Sequence, residues 1–169
     1  LVPFIAIAIK LDSNGPILVR LPRISTGKTI WVYKFRSMAP DAAQLKKNLL
    51  HLNESSDGPF FKIKNDPRIT QVGRLLRKFR LDEFPQLINV LRGELSLVGP
   101  RPHEPEEVTA YPSKYKNLPL AKGGVTGLSQ VSGASSLPFL KELWLDSYYI
   151  NNQSFWLDLK ILLKTFAIL

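Results

Sequence analysis

Two adjacent carboxylates, Asp82 and Glu83, stand near the start of Leu81-Asp82-Glu83-Phe84-Pro85-Gln86-Leu87-Ile88-Asn89-Val90-Leu91-Arg92-Gly93, a run that reads as a helix. Pro85 suits the first turn, where its missing N–H costs nothing, and Gly93 suits the end. Side by side, two acids can divide the labour of a reaction, one acting as nucleophile or base and the other holding a divalent cation. The partial positive charge at a helix start stabilises carboxylates and phosphates alike. Acids at helix starts are also ordinary caps, and on the residues alone a cap is the commoner explanation.

A second candidate is Arg101, set in Gly99-Pro100-Arg101-Pro102. Flanking prolines limit the backbone, so the guanidinium sits on a stiff support suited to bidentate phosphate contact. A structural arginine paired with an acid explains the same residue equally well. Lys34 and Arg36, in Tyr33-Lys34-Phe35-Arg36-Ser37-Met38, are spaced i and i+2. On a strand that spacing points both to one side, a weak phosphate-site signal. Gly123-Gly124-Val125-Thr126-Gly127 is glycine-rich but lacks the spacing of a P-loop or a dinucleotide fingerprint.

The elements that must carry these residues can be read around them. Ile17 to Arg20 and Thr29 to Lys34 are β-prone, with Ser25-Thr26-Gly27-Lys28 between them, which predicts a short hairpin. Met38 to Leu52 reads as a helix. Ile69, Val72, Leu75, Leu76 and Phe79 recur at helical spacing behind a Thr70 cap, with Arg68, Arg74, Arg77, Lys78 and Arg80 between them. Such a cationic amphipathic helix is either simply solvated or docked on an anionic membrane surface. Leu95 to Val98 is a short apolar run. Residues 103 to 124 read as an extended loop with short helices, and Leu137 to Asn151 and Phe155 to Leu169 as helices.

Composition narrows the chemistry. The chain has 169 residues, 44% hydrophobic and 22% charged, enough for one domain with a core. Lysine and arginine number 23 against 14 acids, a formal charge of +9 that favours anionic partners. No cysteine is present, which excludes disulfides, zinc–thiolate sites and thiol catalysis. The two histidines, His51 and His103, argue against a histidine metal site or a Ser-His-Asp triad and are expected at the surface. Aromatics do not interleave with the basic residues as in single-strand nucleic-acid binders, so no nucleic-acid partner is expected. The apolar opening, residues 1–9, is shorter than the roughly 20 residues that cross a bilayer. It is read as the remnant of a longer membrane helix, an ordinary core strand being the alternative.

Taken in order, these segments resemble the bacterial sugar transferase family, the monotopic polyprenyl-phosphate phosphoglycosyl transferases. The matching runs are Ile9-Lys10-Leu11-Asp12-Ser13 with Gly15-Pro16, then Tyr33 to Met38, and Asn65-Asp66-Pro67-Arg68-Ile69-Thr70 with Val72-Gly73-Arg74 and Leu76-Arg77. The most specific is the block from Leu81 to Pro102, and Val125 to Val131 and Leu157 to Leu162 follow. The resemblance implies an enzyme that transfers a sugar 1-phosphate from a UDP-sugar to undecaprenyl or another polyprenyl phosphate, releasing UMP, in the first membrane step of polysaccharide assembly. It implies Asp82 as the nucleophile forming a phosphosugar–aspartyl intermediate, Glu83 as a Mg²⁺ ligand and Arg101 as a phosphate contact, with Lys34 and Arg36 as further phosphate contacts.

The implied fold is α+β and mainly helical, with a small β-hairpin, membrane-associated amphipathic helices and a truncated re-entrant membrane helix broken at Pro3. Residues 1–9 would be the membrane remnant and 10–169 the catalytic domain, ending in an amphipathic helix over 155–169. The implied place is the cytoplasmic face of the bacterial inner membrane; a homo-oligomer stays open. Several positions depart from the family's usual pattern: Leu21 for glutamine, Ser25 for glycine, Phe79-Arg80 for threonine and serine, and Ala134 for an arginine. The last motivates an alternative, a catalytically impaired module that only binds membrane surfaces.

Overall fold

The computed structural model describes residues 2–55, 57–133 and 136–168, so Ala134 lies outside the described residues. The chain is α+β. It opens with α1 (Val2–Asp12), followed by the antiparallel hairpin β1 (Leu18–Ser25) and β2 (Lys28–Phe35). Thr26 and Gly27 both take positive φ, 52° and 70°, the two-residue turn whose twist matches that of the strands. The hairpin is longer than its β-prone runs suggested and carries Pro22 on β1.

The predicted helix over Met38 to Leu52 is shorter. Pro40 disfavours helical backbone at Ala39, and Met38 instead forms an isolated bridge with Ile69. Only α2 (Ala42–Asn48) and a 3₁₀ turn at Leu50–Leu52 remain. Next come α3 (Gln71–Lys78), a 3₁₀ turn at Leu81–Gln86, and α4 (Leu87–Leu91). As expected, Thr70 caps α3, its hydroxyl accepting from the Gly73 N–H at 3.0 Å. Of the arginines placed on the cationic helix, Arg68 is corrected: it precedes α3, is buried, and donates from Nη2 to Asp66 Oδ2 at 2.6 Å.

The short run at Leu95–Val98 contains β3 (Ser96–Val98), which pairs in parallel with β4 (Gly124–Thr126). Between them lies α5 (Pro105–Thr109), and after them come α6 (Leu128–Val131), α7 (Phe139–Asn151) and α8 (Phe155–Ala167). At Gly124 an added Cβ would lie 2.2 Å from the Gly99 backbone nitrogen, so this crossing tolerates no side chain.

Three apolar clusters hold these pieces. Ile5 and Ile9 of α1 meet Phe35 and Leu76, joining α1, the hairpin and α3. Phe60, Tyr111, Tyr115, Leu118, Phe139 and Leu143 form the second cluster. Tyr149, Val98 and Ile161 join α7, β3 and α8, where the Tyr149 hydroxyl donates to Asp158 Oδ1 at 2.7 Å. The apolar chain start is therefore a helix with one face in the core, not a strand. Its other face exposes Phe4, Ile7 and Leu11, and α8 exposes Trp156, Leu163 and Phe166. Among the described residues, no helix is long and apolar enough to cross a membrane.

Candidate active site

The acid pair sits in the 3₁₀ turn between α3 and α4. Arg80, at φ 50°, reverses the chain in the left-handed region that non-glycine residues rarely enter. Asp82 and Glu83 follow at once. The N-cap position is Arg80, not Asp82, and among the described residues no side-chain hydrogen bond caps the turn, so the cap explanation does not hold.

Asn89 fixes where the pair points. Its buried side chain accepts from the Tyr33 N–H at 3.1 Å and donates to the Trp31 carbonyl at 2.9 Å, pairing with the β2 backbone as a strand would. The amide thus ties α4 to the hairpin and brings Lys34 to the acids. Lys34 Nζ donates to Glu83 Oε1 at 2.6 Å.

The two acids are pushed apart electrostatically. Asp82 is 7% exposed, and burial raises its carboxyl above the usual aspartate range; the neighbouring Glu83 charge adds to this, while Lys34 and Arg77 oppose it. For Glu83, burial alone would act upward, but the Lys34 charge and hydrogen bond, with the charges of Arg101 and Arg80, hold its carboxyl below the usual range. A more basic Asp82 beside a firmly ionised Glu83 is the pattern expected where two carboxylates have different roles.

Lys34, Asp82 and Glu83 are therefore brought together, and Arg101 contributes its field at Glu83. Arg36 is not part of this group. β2 ends at Phe35, so strand alternation no longer applies at residue 36. The Arg36 side chain is buried and donates to the carbonyls of Ile9, Ser13 and Asn14 at 3.1, 2.6 and 2.9 Å. It satisfies carbonyls at and beyond the end of α1, which corrects the expected phosphate contact.

His103 is corrected as well. It is 3% exposed, with Nε2 2.9 Å from Glu142 Oε1 and Nδ1 hydrogen-bonded to the Tyr111 hydroxyl. His51 is exposed, as expected.

Sequence reasoning missed Arg77 and Arg80 as neighbours of the acids, placing both on a membrane-facing surface. Arg77 Nε donates to Ser37 Oγ at 2.9 Å while its charge acts on Asp82. Arg80 Nη2 donates to the Gln130 carbonyl at 3.3 Å while its charge acts on Glu83. The usable signal was their spacing, five and two residues before Asp82. Asn89 was also missed; a lone amide inside Leu87-Ile88-Asn89-Val90-Leu91 was its only trace.

Among the described residues, no group of three or more His, Cys, Asp or Glu side chains could hold a metal. A fully protein-ligated ion such as structural zinc therefore does not fit. Mg²⁺ does, because it keeps water and takes only one or two carboxylates alongside substrate phosphates. Glu83, ionised and hydrogen-bonded to protein through Oε1, has the donor chemistry for it.

Buried carboxylates of unlike basicity, ringed by lysine and arginine, define a site suited to an anionic phosphate. The chain belongs to the bacterial sugar transferase family, which matches it over residues 1–169. It is 42% identical over 166 residues to an uncharacterised sugar transferase of Haemophilus influenzae, covering 96% of this chain and 35% of that protein. It is 43% identical over 156 residues to the undecaprenyl-phosphate galactose phosphotransferase of Salmonella typhimurium, covering 90% of this chain and 33% of that protein. It is 38% identical over 181 residues to the undecaprenyl-phosphate glucose phosphotransferase of Komagataeibacter xylinus, covering 98% of this chain and 31% of that protein. The chain thus spans about a third of the length of these relatives.

Proposed function

We propose that this chain is the catalytic part of a phosphoglycosyl transferase that moves a sugar 1-phosphate from a UDP-sugar to undecaprenyl phosphate. The relatives named for galactose and glucose phosphotransfer support the general reaction. The observation that carries the mechanism is the divergence of the acid pair, Asp82 upward and Glu83 downward.

In the first step an Asp82 carboxylate oxygen forms a bond to the β-phosphorus. The bond from that phosphorus to the oxygen bridging to the α-phosphate breaks, and UMP leaves with the bridging oxygen. In the second step a phosphate oxygen of the lipid attacks the same phosphorus and the aspartyl oxygen departs, giving the diphosphate-linked sugar and free Asp82. The protein must offset the repulsion between an attacking carboxylate and an anionic diphosphate. The charges of Lys34 and Arg77 favour the ionised form of Asp82 against the effect of its burial. Arg101 and Arg80 add positive charge beside Glu83, where phosphoryl oxygens would be met. A Mg²⁺ held by Glu83 would supply Lewis-acid neutralisation of those oxygens when bound.

The exposed apolar faces of α1 and α8 would rest on the membrane from its cytoplasmic side, α8 carrying Lys160 and Lys164 among its apolar residues.

The test uses full-length protein with UDP-galactose and UDP-glucose. Without the lipid acceptor, wild type should release UMP in a burst stoichiometric with enzyme, and with undecaprenyl phosphate it should turn over. Asp82→Asn should do neither. Undiminished UMP release by that variant would end the nucleophile assignment. Liposome binding without UMP release from either donor would favour the membrane-surface module instead.

A further inference from the structure

We propose that Glu142 of α7 is a positioning residue for Arg101, gripping one side of its guanidinium so that the terminal nitrogens face the substrate phosphate. The inference rests on the proposed function and deepens it.

The starting observation is a pair of carboxylates that the reaction does not use. Glu142 and Asp146 lie one turn apart on α7 and are each 2% exposed. Burying two carboxylates so close together is costly unless their charge and hydrogen bonds are matched. Both are matched to residues 101–103. Asp146 Oδ2 accepts from the Arg101 backbone N–H at 3.0 Å. Glu142 Oε1 lies 3.6 Å from Arg101 Nε and 2.9 Å from His103 Nε2. The rigid Pro100-Arg101-Pro102 segment is thus held by its backbone at one carboxylate and by its side chain at the other.

The histidine makes the Glu142 geometry specific. Burial, reinforced by the nearby Asp146 and Glu142 charges, keeps the Tyr111 hydroxyl protonated far above neutral pH. His103 is hydrogen-bonded through both ring nitrogens, Nδ1 to that hydroxyl and Nε2 to Glu142 Oε1 at 2.9 Å. The ring is packed edge-on against Phe60 at 5.2 Å and cannot swing freely. Burial would by itself raise the Glu142 carboxyl, but the His103 hydrogen bond and the Arg101 charge hold it below the usual range. It is an anchored anion.

Arg101 is half exposed, and among the described residues its two terminal nitrogens make no hydrogen bond to protein. Its charge acts at Glu83 as well as at Glu142. The guanidinium is therefore held on its Nε side by α7, with its terminal nitrogens left for a ligand and its charge felt at Glu83. A fork held this way is ready for two parallel bonds to a phosphoryl group.

The alternative is that Glu142 and His103 merely hold α7 in place. A double-mutant cycle on the full-length protein separates the two, with UMP release from UDP-galactose and UDP-glucose as the readout. Glu142→Gln preserves volume and can still accept from His103, but it lacks the charge that orients the guanidinium. We expect it to lower kcat by about ten- to hundredfold, with the donor KM and the thermal midpoint little changed. In an Arg101→Lys background, where no fork remains to be aimed, the same substitution should cost less than about twofold. Equal losses in both backgrounds, or an unchanged kcat in a folded Glu142→Gln, overturn the inference while leaving the proposed function standing. Should Glu142→Gln not fold, Glu142→Asp, which keeps the charge but withdraws it by one methylene, is read by the same criteria. A wild-type protein that releases no UMP from either donor overturns the proposed function and this inference together.

Discussion

Replacing Asp146 by asparagine should change how stability depends on pH. The Asp146 carboxyl is 2% exposed, and burial raises it from 3.8 to about 7. The Glu142 charge adds to the rise, while the Ser129 hydroxyl, the His103 charge and the Arg101 N–H oppose it. The folded protein therefore holds this proton more tightly than the unfolded chain does. The resulting stability is complete below the unfolded value and is lost as pH rises through about 7. The window spans about three pH units, each worth about 1.4 kcal/mol, so the group contributes at most about 4 kcal/mol. Asp146→Asn cannot ionise and lacks this term. Its unfolding free energy minus that of wild type should grow by up to that amount between pH 4 and pH 8. Urea denaturation of both proteins across this range measures the difference, in which all other titrating groups cancel to first order. Parallel curves would refute the reasoning, because they would mean that the carboxyl is hydrated or already ionised in the fold.

Arg36→Met should destabilise the protein by about 3 kcal/mol through loss of charged hydrogen bonds to buried carbonyls, with donor KM unchanged; a raised KM at unchanged stability would return Arg36 to the phosphate site. Gly124→Ala should cost about 3 kcal/mol or more, because a backbone crossing cannot part without breaking the β3–β4 pairing; a thermal midpoint equal to that of wild type would refute the clash. Arg80→Ser should weaken the donor, raising KM for the UDP-sugar by roughly tenfold, the size of one charge-assisted contact, and the loss should shrink as salt is added. An unchanged KM at low salt would leave Arg80 as a turn residue only.

The parts of the fold legible in the sequence were those coded locally. The hairpin announced itself through β-prone runs around a two-residue turn, and α3 through its apolar period and the Thr70 hydroxyl. The parallel pairing of β3 with β4 was not legible. Each strand has three residues, too few to show a period, and the partners are separated by α5 and a long loop. Arg36 was misread because alternation along a strand holds only while the strand continues. His103 was misread because nothing beside it signals burial; its partner Glu142 lies 39 residues further on. In the candidate site, the acid pair, Lys34 and Arg101 were candidates by type and spacing, while their roles came only from the family resemblance. The residues that set their geometry, Asn89 and Glu142, act across long sequence distances and left only a polar residue in an apolar helix as a trace.

The charge around the acid pair gives a physical reason for this arrangement. Lys34, Arg77, Arg80 and Arg101 all act on Asp82 or Glu83, so the acid pair lies in a positive field. The split between the acids follows from which cations each one meets. Glu83 has the direct lysine contact and two further arginines, and it stays ionised. Asp82 is shielded from water without a direct ion pair, so its carboxylate keeps more of its basicity. For the proposed nucleophile that basicity is useful, and the charges of Lys34 and Arg77 favour its ionised form. Removing Lys34 should therefore raise both carboxyls, Glu83 the more because it loses a hydrogen bond as well as a charge, and so narrow the contrast on which the proposed division of labour rests.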